Sequence, residues 1–424
     1  MLPKILLIRQ NIATTPALTN PYAEAFNAMN SLKIDSDKIK DKTIGIAVGS
    51  RGLDQLPQLV KSIVDFVKAN GGKPFIFAAI GTQGGGTSEG QAAMLASLGI
   101  TEDTMEVPIR CCGESKYMGK TPSHGYDVYC NSIVDELEGL IVINRVKPHT
   151  DFTDITESGL LKIFAIGIGN PQGAQAIHTK ALTEGHGKVI REIAAYMMAH
   201  LPVLFGVMTT ENWKSQLDYV QAVLPENILE TEKAALARVK ENTIKLPVKA
   251  LDALIVAEMG KNVSGTGMDT KTIGRIMILG QKEPDYPKIG RISVLGLTEA
   301  THGNYMGMGL ADYTTMPVFR AMDIVDTSFN CVMASAPEQG RIPVIVENDR
   351  AAIAAAVETV GLDDPSRATL IYIRNTNCLE EMVVSEALYE QLKDNKNIEV
   401  LSELQEFEFD QDGRLLSFHK AFGL

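Results

Sequence analysis

Cysteine is scarce: it occurs five times in 424 residues, with Cys111 and Cys112 adjacent and no CxxC spacing anywhere. That excludes a zinc ribbon or a disulfide framework and fits a reducing compartment. Long apolar runs are missing too. No stretch approaches the ~18 residues of a membrane-spanning helix, and the opening MLPKILLIRQ is interrupted too soon for a signal-peptide core. Basic charge is in deficit, with Lys+Arg 40 against Asp+Glu 52 and a formal net charge of −12. An acidic surface repels phosphate backbones and anionic lipid, so neither nucleic acid nor a membrane surface is expected as the main partner. A local cluster of Arg, Lys and backbone N–H groups still overrides that field for a small anionic ligand. The expectation is a soluble, cytoplasmic protein, with the oligomeric state left open.

What is present is ordinary core material: 45% hydrophobic and 22% charged residues over a length that suits two or three domains. The β-branched run 43–48 is followed by apolar residues at helical spacing (Leu56, Leu59, Val60, Ile63, Val64, Val67), with Asp54 as N-cap and Pro57 in the first turn. A buried strand at 75–80, a glycine-rich loop and a helix near 91–98 come next. Strand, helix, strand, helix with near-continuous apolar strands marks a parallel sheet covered on both faces. A third strand is expected at 140–144, and helices at 188–200 and 225–242. Near residue 245 the pattern restarts, with strands at 253–257, 292–296 and 370–373 and helices at 317–332 and 349–360. The expected architecture is therefore two α/β domains with largely parallel sheets and a cleft between them. The first spans 1–245 and the second 246–385. The tail 386–424, with a hairpin at Asp412-Gly413, is expected to pack back on the first domain.

Ligands bind parallel sheets at the carboxyl ends of the strands, where the connecting loops diverge. The unusual polar residues of this chain fall there: Ser50 and Arg51 after the first strand, 82–88 after the second, and Lys147, His149 and Thr150 after the third. In the second domain Glu258, Lys261, Glu299, Thr301, His302, Arg374, Asn375 and Thr376 hold equivalent places. The loop GTQGGGTSEG brings backbone N–H groups to a helix start, a setting that favours an anion; it is neither a Walker loop nor GxGxxG. A tight strand-to-helix turn explains the same glycines equally well. Of the seven histidines, His200 and His419 read as ordinary surface or helix-end residues, whereas His149, His178 and His302 stand in strand-end or glycine-rich settings.

The run VGSRGLDQLPQLVKSIVDFVKANGGKPFIFAAIGTQGGGTSEGQ, then INRVKPHTDFTDITESGLLKIFAIGIGNPQGAQAIH, resembles the lactate racemase superfamily. The later runs EMGKNVSGTGMD, LTEATHGNYMGMGLADYTT and ENDRAAIAAAVETVG look like a branch of it, and together the motifs span about residues 44–376. The resemblance implies a nickel-pincer nucleotide cofactor (nickel pyridinium bisthiocarboxylate mononucleotide) and a small 2-hydroxy acid substrate. It also implies proteins that synthesise the cofactor as partners. The implied reaction is racemisation or epimerisation, in which the α-hydrogen leaves as hydride to the cofactor while a general base takes the hydroxyl proton. On this resemblance His149 is an acid/base group, Lys162 can bond covalently to the cofactor, and His178 completes the nickel coordination. Nickel beside sulfur donors accepts imidazole readily. Arg51 contacts the anionic end of the ligand, Ser50 lies beside it, and Gly84, Gly85, Gly86 and Thr87 cradle the cofactor phosphate. Lys261 takes the substrate carboxylate.

One departure matters. The family places a second catalytic histidine in a GxH step after the second strand, and this chain has Gly81-Thr82-Gln83 there. An amide takes up no proton near neutral pH, so Gln83 is no general base. His302 is the expected substitute. The alternatives are a one-sided reaction, of oxidoreductase or lyase type, and a non-catalytic nucleotide- or metal-binding protein.

Overall fold

Thr43–Val48, Lys73–Ala78 and Gly139–Arg145 are apolar at nearly every position because each is a strand covered on both faces. In the computed structural model, which describes residues 1–49 and 52–423, they lie in a six-stranded sheet. Its order is Ile109–Arg110, Lys73–Ala78, Thr43–Val48, Gly139–Arg145, Val203–Glu211 and Leu217–Val223, all parallel except the last. Alternate side chains divide between two cores. Ile44, Ile46, Val48, Ile141 and Ile143 pack with Met29, Leu59, Val60 and Ile63 of the helices Pro21–Ser31 and Leu56–Ala69. Ala47, Phe75, Phe77, Leu140 and Val142 pack on the other side with Leu160, Phe164, Ile177, Ile190 and Leu236. Pro57 stands in the first turn of Leu56–Ala69 as expected, but Asp54 does not cap it. The Asp54 carboxylate instead accepts the Leu217 N–H at 2.9 Å, tying the helix entry to the antiparallel edge strand.

The chain runs outward from Thr43–Val48 to Lys73–Ala78 and Ile109–Arg110, then returns to Gly139–Arg145 on the opposite side. The strand order therefore reverses between Thr43–Val48 and Gly139–Arg145, which makes their carboxyl ends the natural ligand position of this sheet.

A second, eight-stranded sheet has the order Val344–Val346, Tyr313–Thr315, Lys288–Val294, Ala250–Val256, Leu370–Ile373, Glu381–Ser385, Ile5–Gln10 and Ile398–Val400. Its first five strands are parallel to one another, and each of the remaining three pairings is antiparallel. Both units are thus α/β with largely parallel sheets. Here the reversal falls between Ala250–Val256 and Leu370–Ile373.

The chain divides into the units Thr14–Thr243 and Met1–Ala13 with Ile244–Leu424. Ile5–Gln10 pairs with Glu381–Ser385 and Ile398–Val400, and Arg9 meets Glu381 at 2.6 Å. The tail turn at 410–414 is closed by Gly413 N–H to Asp410 C=O at 3.1 Å, and Leu415 N–H reaches the Asp349 carboxylate at 2.9 Å. The tail accordingly packs within the unit formed by 1–13 and 244–424. Pairing the two chain ends is a long-range contact that no local pattern announces. The helix expected at 317–332 is two, Met316–Arg320 and Ile324–Met333, because the Asp323 side chain accepts the Asp326 N–H and starts a new helix. Among the described residues no helix is long and apolar enough to cross a membrane.

Candidate functional site

The loop after Gly139–Arg145 is held rigidly before it delivers any chemistry. Glu157, whose side chain is fully buried, accepts the backbone N–H of His149 at 2.7 Å and of Asp154 at 3.1 Å, and it pairs with Lys240. Ser158 Oγ accepts the Lys147 N–H at 2.8 Å and donates to the Lys147 carbonyl at 2.6 Å. A buried carboxylate with three donors is satisfied, so it braces the loop instead of destabilising it. His149 is thereby fixed at the strand end, with its side chain 19% exposed.

Lys162 comes from the next turn. Asn144 Nδ2 donates to the Gly159 carbonyl at 2.7 Å, which starts the short helix Leu160–Lys162 beside the strand end. The helix widens at once into a π turn, Ile163–Gly167. Such turns recur at functional sites because they re-aim side chains without ending the helix. Glu232, from the helix Ile228–Asn242, caps this segment by accepting the Leu161 N–H at 3.2 Å. Gly159 makes the approach feasible, since a Cβ there would stand 2.5 Å from the Glu232 carboxyl carbon. Glu232 Oε1 is buried with no hydrogen-bond partner. Burial pushes this carboxyl up to about 8, the amides of Leu161 and Leu160 offsetting only part of the cost.

The central contact is Lys162 Nζ to His149 Nε2, at 2.9 Å. His149 Nδ1 accepts the Asp151 N–H at 3.1 Å. A neutral imidazole that accepts at Nδ1 carries its proton on Nε2, and only an unprotonated amine can accept from it. With an ammonium at Lys162, Nε2 would have to accept and the Nδ1 proton would oppose the Asp151 N–H. The hydrogen-bond pattern therefore assigns a neutral amine to Lys162 and the Nε2–H tautomer to His149.

His178, on the helix Asn170–Glu184, lies close to Lys162, and its ring nitrogens have no hydrogen-bond partner among the described residues. Burial lowers it to about 4. His186 opens the helix His186–His200 and is buried. Its ring stacks on Phe152 (centroids 5.0 Å, 7°), Phe152 stacks on His149 (4.6 Å, 27°), and His178 meets His186 edge-on at 5.8 Å and 64°. Burial lowers His186 to about 4 as well and takes His149 well below its ordinary value. The three imidazoles are neutral at pH 7, with lone pairs for protons or metal. His186 was not anticipated. Read locally, it is only a helix-start residue after Gly185, and its one sequence signal is its place eight residues beyond His178.

The glycine-rich loop adjoins the same segment, since Gly81 N–H donates to the Gly167 carbonyl at 3.1 Å. Gln83 opens its turn, Gln83–Gly86, and Thr87 caps the helix Ser88–Ser97 by accepting the Gly90 N–H at 3.1 Å. Packing accounts for part of the glycine pattern. A Cβ on Gly84 would lie 2.6 Å from the Gly90 backbone and one on Gly86 2.5 Å from Pro171, whereas at Gly85 it would meet nothing within 4 Å. Ser50 and Arg51 lie outside the described residues.

Lys261 and His302 belong to the other unit. Lys261 Nζ donates to the Gly265 carbonyl at 2.9 Å and lies 3.0 Å from Met306 Sδ, and its N–H reaches Thr301 Oγ1 at 3.1 Å. His302 is exposed, in the left-handed conformation that ends the turn Glu299–Thr301. At the reversal point of that sheet Glu258 accepts from Arg374 at 2.9 Å and Asn375 at 3.0 Å. Within 14–243 the structure thus brings His149, Lys162 and His178 together.

Known proteins agree with the architecture. A family model described as "Domain of unknown function (DUF362)" matches residues 48–222, the stretch that holds the glycine loop, His149, Lys162, His178 and His186. The structure of the lactate racemase apoprotein from Thermoanaerobacterium thermosaccharolyticum superposes with a TM-score of 0.51 over 90% of each chain, at 14% identity. The chain therefore has a lactate racemase-like α/β fold, and the likeness read from its motifs holds in the fold. No curated protein matches the sequence.

The Glu232 environment carries its own test. Its carboxyl ionises near its ordinary 4.5 when unfolded but near 8 when folded. Between those values the folded state holds the extra proton, so stability falls as pH rises. Glu232→Gln should therefore raise the unfolding free energy by roughly 3 kcal/mol at pH 7 and leave it unchanged at pH 4, by urea denaturation. An equal effect at both pH values would contradict the assignment.

Proposed function

We propose that this protein is a nickel-pincer nucleotide-dependent racemase or epimerase of a 2-hydroxy acid. The observation that carries the proposal is the approach of Lys162 Nζ to His149 Nε2, at 2.9 Å, with His178 alongside. The donor set fits the cofactor. A neutral amine is the nucleophilic form of lysine needed for a covalent link, and an imidazole with no hydrogen-bond partner among the described residues is available to nickel. On this reading His178 holds the metal, Lys162 the cofactor ring, and Gly84, Gly85, Gly86 and Thr87 with Ser50 its phosphate. Arg51 contacts the anionic end of the ligand. When bound, the cofactor supplies the acceptor for the α-hydrogen and its electron pair.

The proton belongs to His149. Neutral at pH 7, it takes the substrate hydroxyl proton at Nε2 in its other tautomer, in which Nδ1 gives up the Asp151 N–H and donates its own proton to the Asp151 carboxylate, 4.0 Å away. Chain purified after expression with the cofactor-making proteins should interconvert stereoisomers of at least one acid in a 2-hydroxy acid panel, with a mass adduct on Lys162. His149→Ala should slow the exchange by about 100-fold or more. Inertness across the panel with the adduct present would contradict the proposal.

Gln83 supports a second reading, in which only one face of the substrate meets a base and the outcome is a one-sided oxidation or elimination. Its loop is hydrogen-bonded to the π turn beyond Lys162, so a histidine at this position would stand near the site. Gln83→His should then raise two-face exchange measurably above wild type; no gain in stereochemical exchange would contradict this reading.

A further inference from the structure

The helix Ile324–Met333 buries a polar stripe and turns an apolar one outward. Thr327 Oγ1 accepts the Tyr305 N–H at 3.1 Å, and the Asp326 carboxylate accepts from Asn304 Nδ2 at 2.6 Å. Thr327 and Cys331 are buried, whereas Val325, Phe329 and Val332, spaced i, i+4 and i+7, are 82%, 65% and 73% exposed. A surface helix ordinarily does the reverse. We propose that this face is a homodimer interface, closed about a two-fold axis by the same face of a second copy of the chain.

The stripe does not stand alone. Ala336 N–H donates to the Cys331 carbonyl at 3.0 Å, and a Cβ on Gly340 would stand 2.8 Å from Cys331 Sγ. Gln339 Nε2 reaches the Ile276 carbonyl at 3.5 Å, and Ile276, Ile278 and Cys331 share one small core. The segments that meet there carry three more exposed apolar side chains, Leu279, Ile342 and Val344. At ~150–200 Å² for a fully exposed residue of these types, the six present about 650 Å² per chain and roughly 1,300 Å² in a pair, which reaches the ~1,200–2,000 Å² of a stable interface. Single apolar residues on a surface need no cause, but a patch of several hundred Å² marks a contact. The sheet edge points to a second copy as the occupant. Val344–Val346 is the outermost strand of the eight-stranded sheet and reads Val-Ile-Val, while the strand at the opposite edge, Ile398–Val400, carries Glu399. Charge is a usual guard of a free edge, because an edge strand offers its backbone groups to another strand. A two-fold axis beside the uncharged edge sets identical strands antiparallel and brings the same helix from each chain to the seam.

The test is sedimentation equilibrium of the full-length chain over ~1–100 µM, a range that brackets micromolar association. The wild type should approach twice the chain mass at the upper end. Phe329→Asp and Val325→Lys each set a charge in the stripe and should weaken association about 100-fold or more. Both side chains are exposed in the single chain, so far-ultraviolet circular dichroism should stay unchanged. Val400→Asp, at the opposite edge of the same sheet, should associate as wild type. Amide hydrogen exchange at 344–346 should slow as the protein is concentrated. A wild type that stays monomeric overturns the proposal and leaves the face to a different partner. A dimer indifferent to either Phe329→Asp or Val325→Lys, or one broken by Val400→Asp, overturns it as well, since the interface then lies elsewhere.

Discussion

The contact between Lys162 and His149 governs how the rest of this site can work. A lysine amine and an imidazole at 2.9 Å are compatible only when one of them gives up a proton, and the Asp151 amide at Nδ1 decides which. The surrounding structure keeps the pair in place. Glu157 and Ser158 clamp the loop that bears His149, while Asn144 and Glu232 hold the two ends of the turn that leads into Lys162. None of these groups touches the reacting atoms. Each holds an orphan backbone donor or acceptor that would otherwise let the loop or the turn drift.

Topology explains why these elements meet. The sheet of 14–243 reverses its strand order between Thr43–Val48 and Gly139–Arg145, and the chain spends the next residues crossing that gap. His149 leaves the strand end, Lys162 lies on the returning turn, and His178 and His186 lie on the helices that cover the same face, where their neighbours Ile177 and Val189 join the core. The sheet of the other unit has its own reversal, marked by Glu258, Arg374 and Asn375. Each unit therefore follows the same rule for ligand position, derived from strand order alone.

Much of this was legible from residue order. The apolar runs at 43–48 and 139–145 and the six-residue helical stripe from Leu56 to Val67 declare their elements because burial on two faces, or on one helical stripe, demands that pattern. His149 and His178 stood out by their setting, and Lys162 entered only through the family resemblance. Other features were not legible because they depend on contacts distant in sequence. Ile5–Gln10 falls within the expected first domain, 1–245, until its partners at 381–385 and 398–400 are known. Asp54 has the composition of a cap but is drawn to the amide of Leu217. Gly84 and Gly86 look like a phosphate cradle, yet Gly90 and Pro171 leave no room for a side chain at either. His186 escaped notice because its importance comes from packing against Phe152 and His178, neither of which is its sequence neighbour.

The most direct measurement is the protonation state of Lys162 in the apoprotein at neutral pH. It is read from the side-chain nitrogen resonance by NMR, with Lys162→Arg providing the assignment. The account predicts a neutral amine at pH 7 that becomes an ammonium in His149→Ala. An ammonium signal in the wild type would contradict it.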